Sequence, residues 1–98
     1  MNIEIKKNEN VTIIEIEGRL DTTTAPKLES VINECSGSVK NLILDLLNLE
    51  YISSAGLRVL LSAQKKMQKI GSMKVKNVSE VVMDVFEMTG FADILEIE

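Results

Sequence analysis

The chain has 98 residues, 45% of them hydrophobic and 27% charged, with a formal net charge of −4, which suits one globular domain with one core and not two. It contains no histidine and a single cysteine, Cys35, so a Cys/His zinc cluster, an internal disulfide and a Ser-His-Asp or Cys-His nucleophilic arrangement are all excluded. No apolar run approaches bilayer length and the start, Met1-Asn-Ile-Glu-Ile-Lys-Lys, has no signal-like apolar segment, so the expected location is the cytoplasm.

Asn2 to Lys7 reads as a strand, with Ile3 and Ile5 on one face and Glu4 and Lys6 on the other. Asn8-Glu9-Asn10 is a turn, and Val11 to Glu17 is a second strand, so the pair is expected to form an antiparallel hairpin. The Ile13-Ile14 pair breaks the alternation and implies a bulge or a strand buried on both faces. Gly18-Arg19-Leu20-Asp21 is expected to leave the sheet. Thr22, Thr23 and Thr24 offer caps, and Pro26 suits a first helical turn, where its missing N–H is not needed. Leu28, Val31, Ile32 and Cys35 then line one helical face, and Gly37 is expected to end that helix. Cys35 reads as core packing, since nothing nearby would lower its thiol pKa.

The next stretch organises the rest. Leu42, Ile43, Leu44, Leu46 and Leu47, interrupted by Asp45, fit a strand covered on both faces. A short polar loop follows, then a helix carrying Ser53 and Ser54 in its first turn, with Leu57, Leu60, Leu61 and Met67 at helical spacing and a stop at Gly71. A serine at that place caps the helix by accepting a hydrogen bond from a free backbone N–H, and Ser54 is expected to do so. Met73 to Asn77 is a fourth strand with Met73 and Val75 inward. Ser79 caps a last helix, Glu80 to Thr89, whose apolar face is Val82, Val85 and Phe86 and whose stop is Gly90. Phe91, Ile94 and Leu95 fold back as a closing turn, and Ile97 adds a short edge strand.

Strands followed by helices imply a layered α/β domain, with a right-handed parallel crossover between the Val11 strand and the Leu42 strand. Asp21 and Ser53-Ser54 each follow the C-terminal end of a strand. If those strands are neighbours, both loops lie on the edge where α/β folds place their sites. Arg58, Lys65, Lys66, Lys69, Lys74 and Lys76 fall between Tyr51 and Asn77, where there is no acidic residue. The plain reading is a solvated helix face, with lysines favoured near the helix C-terminus; the functional reading is a patch for an acidic partner or an anion. Nucleic acid and membrane are not expected partners, given the net negative charge and only one Tyr, two Phe and no Trp. There is no Gly-x-Gly-x-x-Gly, no Walker-type loop and no nominated carboxylate pair, so no enzyme activity and no cofactor or metal is expected.

The stretch Asp45-Leu-Leu-Asn-Leu-Glu-Tyr-Ile-Ser-Ser-Ala-Gly-Leu-Arg-Val-Leu-Leu resembles the signature of STAS domains, in particular the bacterial anti-sigma factor antagonists. The resemblance spans nearly the whole chain and includes Gly18-Arg-Leu-Asp-Thr-Thr-Thr-Ala and Val85-Phe-Glu-Met-Thr-Gly-Phe-Ala-Asp-Ile-Leu. It implies a single STAS domain over residues 1–98, a mixed sheet of four to five strands and about four helices. The family's loop reads Asp-Ser-(Ser, Thr or Ala)-Gly-Leu-Gly, and its first serine accepts phosphate; aligned on Ala55-Gly56-Leu57, that serine is Ser54. Ser53 stands where the family usually has Asp, and Arg58 where it often has Gly. The resemblance further implies a partner that is both anti-sigma factor and serine kinase, using its own ATP, with a phosphatase for reset.

On that reading Asp21, Thr22, Ser53, Ala55, Gly56 and Arg58 form the partner-facing surface. A phosphate on Ser54 would sit beside the N–H groups near Gly56 and Leu57, and Gly56 would permit close approach of another backbone or a nucleotide's terminal phosphate. Leu57 and Leu61 are core, Arg58 points away from them, and Asp45 fixes the loop by hydrogen bonds. The alternative is a STAS-type binding module or nucleotide-sensing subunit of another signalling or transport assembly, without sigma-factor control.

Overall fold

The computed structural model describes residues 1–35 and 39–98. Its elements are β1 (Asn2–Lys7), β2 (Val11–Leu20), α1 (Ala25–Cys35), β3 (Asn41–Asp45), β4 (Leu49–Ile52), α2 (Ser54–Ile70), β5 (Ser72–Lys76), α3 (Glu80–Thr89) and a 3-10 turn at Phe91–Asp93. The sheet has order β1-β2-β3-β5, with β4 pairing to β2 beyond β3. It is mixed: β1 and β2 are antiparallel, while β2–β3, β2–β4 and β3–β5 are parallel.

The hairpin register pairs Asn2 with Glu17 and Lys7 with Thr12, and the Asn8 N–H closes the turn on the Val11 carbonyl at 2.9 Å. Pairing runs unbroken through Ile13 and Ile14. No bulge forms there, and the apolar pair reflects one buried residue beside one half-buried residue. The irregularity lies further on, between Gly18 and Arg19, where the register to β4 shifts. Gly18 sits at φ +100, a backbone conformation that favours glycine. Gly18 to Leu20 therefore do not leave the sheet. They carry β2 past the end of β3 and pair with β4.

β4 corrects the sequence reading of a polar loop after the Leu42 strand. That strand ends at Asp45 and not at Leu47, whose side chain is 65% exposed. It is also covered on one face only, since Leu42 and Leu44 are buried while Ile43 is half-buried. The same alternation holds in β2 and β5: Thr12, Ile14, Ile16, Met73 and Val75 point into the core, and Ile13 and Lys74 lie on the open side. Asp45 is the buried exception at the strand end. Its Oδ1 accepts from the Leu47 N–H at 3.1 Å and the Asn77 side-chain amide at 3.0 Å. That bond set is the loop-fixing role read from sequence.

The helices cover the apolar face. α1 presents Leu28, Ile32 and Cys35, and α2 presents Leu57, Leu60, Ala63 and Met67 along with Gln64. Leu61 is only half-buried. α1 and α2 pack together, α2 lies against β5 and α3 against β4. The expected end of α1 at Gly37 lies outside the described residues. α2 stops at Gly71, whose N–H donates to the Met67 carbonyl at 2.7 Å, and α3 is capped by Ser79 and ended by Gly90 at φ 81. The last strand runs Ser72–Lys76 and counts as the fifth. Asn77, expected at its end, sits at φ 57, outside extended geometry. Among the described residues there are three α-helices and the short 3-10 turn, where about four helices were expected. Leu95 closes the core, Ile94 stays exposed, and Ile97 makes a single parallel bridge to Val75.

Candidate functional site

Two loops meet at the C-terminal end of β2. The register sets Arg19 against Tyr51 and Leu20 against Ile52, and the Ser53 N–H donates to the Leu20 carbonyl at 2.9 Å. The chain leaving β2 into Asp21 thus runs beside the chain leaving β4 into Ser53. Both loops do share one sheet edge, as expected, but the second strand is β4 and not β3.

Asp21 builds the first loop. Its Oδ1 accepts from the Thr23 hydroxyl at 2.7 Å, the Thr23 N–H at 3.0 Å and the Thr24 N–H at 3.2 Å. Its own N–H donates to Thr24 Oγ1 at 2.8 Å, and its carbonyl accepts from the Ala25 N–H at 2.8 Å. The Thr24 hydroxyl in turn donates to the Arg19 carbonyl at 2.8 Å. The result is a closed turn that feeds α1 and ties it to the end of β2. The Thr23 hydroxyl, then the Thr23 and Thr24 N–H groups, favour the ionised carboxylate and hold it below the ordinary Asp value of 3.8 against the opposing effect of desolvation. Asp21, expected on the partner-facing surface, thus has its Oδ1 engaged in building the turn. Thr22 stands exposed at the turn. The Arg19 guanidinium lies 4.2 Å from the centre of the Tyr51 ring, with Nε 4.0 Å from Asp21 Oδ2. Sequence reasoning missed this contact, because it exists only through the unforeseen β4.

The first turn of α2 builds the second loop. Ser53 is extended, at φ −98 and ψ 176, and its side-chain oxygen accepts from the Gly56 N–H at 3.3 Å. Its carbonyl accepts from the Leu57 N–H at 2.9 Å. Ser53 is therefore the cap, one residue before the serine to which the sequence reading gave that task. Ser54 is the first helical residue and is exposed. Its hydroxyl is not engaged by any described residue. The Gly56 and Leu57 N–H groups, near which a phosphate was expected to sit, are both already committed; among the described residues the free donors at this end are those of Ser54 and Ala55.

The other expected site residues fall unevenly. Ala55 is half-buried, Arg58 is exposed, and Gly56 is buried. A Cβ on Gly56 would lie 2.7 Å from Leu20 Cγ and 2.9 Å from Ile52 Cγ1. The close approach that this glycine permits comes from inside, and it sets how tightly α2 sits on β2 and β4. Lys65, Lys66 and Lys69 are exposed along the far part of α2, and Lys66 bonds Asn33 of α1. A surface hollow of about 410 Å³ lies elsewhere, lined by Glu4, Glu15, Glu17 and Asp45 among others, and includes neither serine. Among the described residues no His, Cys, Asp and Glu cluster could hold a metal, and no helix is long and apolar enough to cross a membrane.

A family model described as the STAS domain matches residues 2–98. The chain belongs to the STAS domain family. This STAS domain is 33% identical over 98 residues to the anti-sigma-B factor antagonist of Bacillus subtilis, covering 99% of this chain and 90% of that protein. Its fold matches the crystal structure of an anti-sigma factor antagonist from Mycobacterium paratuberculosis with a TM-score of 0.90 at 24% identity, over 98% of this chain and 83% of that one. It also matches the anti-sigma factor antagonist SpoIIAA in its unphosphorylated form, with a TM-score of 0.85 at 18% identity over 99% and 88% of the two chains. The phosphorylated form of the Bacillus protein SpoIIAA matches with a TM-score of 0.78 at 18% identity, over 99% and 91%. In this STAS domain Ser53 supplies the side-chain acceptor at the cap, a place where Asp and Ser serve about equally.

Proposed function

We propose that this STAS domain is an anti-sigma factor antagonist that binds an anti-sigma factor acting also as a serine kinase, and that phosphorylation of Ser54 ends the interaction. The observation that carries the reading is the division of labour between adjacent serines. Ser53 has its oxygen committed to the helix cap, whereas Ser54 presents an exposed, uncommitted hydroxyl on the first turn of α2. The likeness to the anti-sigma-B factor antagonist of Bacillus subtilis supplies the partner class. The docking face is the Asp21-Thr22 turn together with Ser53, Ser54, Ala55 and Arg58, with Gly56 setting the seat of the helix beneath them. This chain acts in the cytoplasm as substrate and binding module and contributes no catalysis. The kinase brings the ATP, and a phosphatase resets the cycle.

Phosphate adds about −1.5 to −2 charges at Ser54. The positive end of α2 and the free N–H groups of Ser54 and Ala55 tolerate that charge locally. The fold is therefore retained, while a partner surface that carries acidic groups, or needs apolar contact here, is repelled. Phosphosite mapping of the protein from its own cells tests this directly. Trypsin releases the single peptide Asn41 to Arg58, which holds both serines. Growth-dependent phosphate on Ser54 is the expected result. Ser54→Asp should lose partner capture while its circular dichroism and melting stay near wild type. Undiminished capture by that variant would overturn the charge mechanism, and phosphate retained on Ser54→Ala would move the acceptor to Ser53 or another residue.

A further inference from the structure

Arg58 lies one helical turn beyond Ser54 on the exposed side of α2. Residues four apart on a helix are surface neighbours, and long side chains lean back over the turn that precedes them, here the turn of Ser54. Arg58 has no competing acid within reach on its own helix: the residues three and four positions away are Ala55, Ser54, Leu61 and Ser62. The ion pairs among the described residues are Lys6–Glu15 and Arg19–Asp21, so Arg58 belongs to neither. The first turn of α2 holds no acid either. A strong dianion formed at Ser54 would therefore meet a guanidinium with no prior engagement, matched to phosphate geometry.

We propose that Arg58 is the intramolecular counter-ion of phosphoserine 54. The proposal rests on the phosphoswitch reading and deepens it. Unphosphorylated, Arg58 is a free cation on the docking face; phosphorylated, it folds back on its own helix. One modification thus places an anion on the face and withdraws a cation from it. An approaching acidic partner loses an attraction in the same step that it gains a repulsion.

The test is a phosphorus-31 NMR titration of full-length protein carrying phosphoserine at position 54, installed during translation so that no kinase is needed. A neighbouring cation favours the dianion and lowers its second pKa. Arg58→Gln should raise the titration midpoint by about 0.3 pH unit, and more at low salt. Arg58→Lys should recover part of the shift. The Asp21 carboxylate and Arg19 on the neighbouring loop, together with the helix end itself, act equally in all variants, so the difference isolates Arg58. A midpoint unmoved by Arg58→Gln, or moved downward, overturns the proposal. Failure of the switch itself reads differently, as cellular peptide Asn41 to Arg58 that never carries phosphate.

Discussion

Exchanging the two serines one at a time for alanine tests the geometry on which the proposed switch depends. Ser53→Ala removes the oxygen that accepts from the Gly56 N–H at 3.3 Å. Loss of a serine cap typically costs about 1 kcal/mol. This bond is long for its kind, which places the expected loss at about 0.5 to 1 kcal/mol. For a domain of this size that corresponds to a fall in melting temperature of about 3 to 6 °C. Ser54→Ala removes a hydroxyl that caps nothing and substitutes a better helix former, so the change should stay within about 0.5 kcal/mol of wild type. Ser53→Asp should melt close to wild type, since the carboxylate also caps and faces the positive helix end. Calorimetry of the three variants in one buffer, with urea midpoints alongside, gives the answer. If Ser54→Ala is the variant that falls, or if both alanines fall equally, the cap has been assigned to the wrong serine. Ser54 is then the capping serine and is not free for modification.

Three further outcomes are expected. Gly71→Ala would set a Cβ 1.8 Å from the Lys40 carbonyl oxygen, which accepts from the Ser72 N–H at 2.8 Å; separating them costs about 3 kcal/mol and lowers the melting temperature by roughly 15 °C, and a fall of only a few degrees would refute the contact. Gly56→Ala forces Leu20 and Ile52 to yield, so urea unfolding should show a net loss of about 1 to 2 kcal/mol after the gain in helix propensity is set against it, with unchanged stability as the refuting result. Asp21 is held below its ordinary value of 3.8 by the Thr23 hydroxyl first, so its contribution is present above that value and lost as pH falls through the folded pKa. The urea midpoint of wild type should therefore drop toward that of Asp21→Asn as pH falls below 3.8, and a constant gap between them would contradict the hydrogen-bond cause.

The elements legible in the sequence were those that announce themselves locally. The hairpin shows a turn between alternating strands, and α1, α2 and α3 show helical apolar spacing with Pro26, Gly71, Ser79 and Gly90 as punctuation. β4 had no such signal. Leu49–Ile52 is four residues long, and its two middle residues are exposed, so it matches neither an alternating nor a buried strand. It exists because β2 runs on past β3 and offers it a free edge, which is a tertiary fact. Leu47 misled for a related reason: an apolar neighbour of a buried strand looks buried until the chain turns at Asp45. At the site, the loop and its serines were visible from the motif, but cap and first helical residue differ by a single position. Only the Ser53 backbone angles and its bond to Gly56 separate them.

The long reach of β2 has a thermodynamic side. Its first half is held by β1 and β3, and its last residues carry both site loops: the Thr24 hydroxyl holds the Arg19 carbonyl, and the Ser53 N–H holds the Leu20 carbonyl. The backbone of the proposed docking face is thus immobilised by folding, before any partner arrives. Little ordering entropy remains to be lost on association, the cost that otherwise erodes the affinity of a small interface. On the proposed function, a partner should meet a preformed surface, with association limited by orientation and charge rather than by rearrangement of this chain.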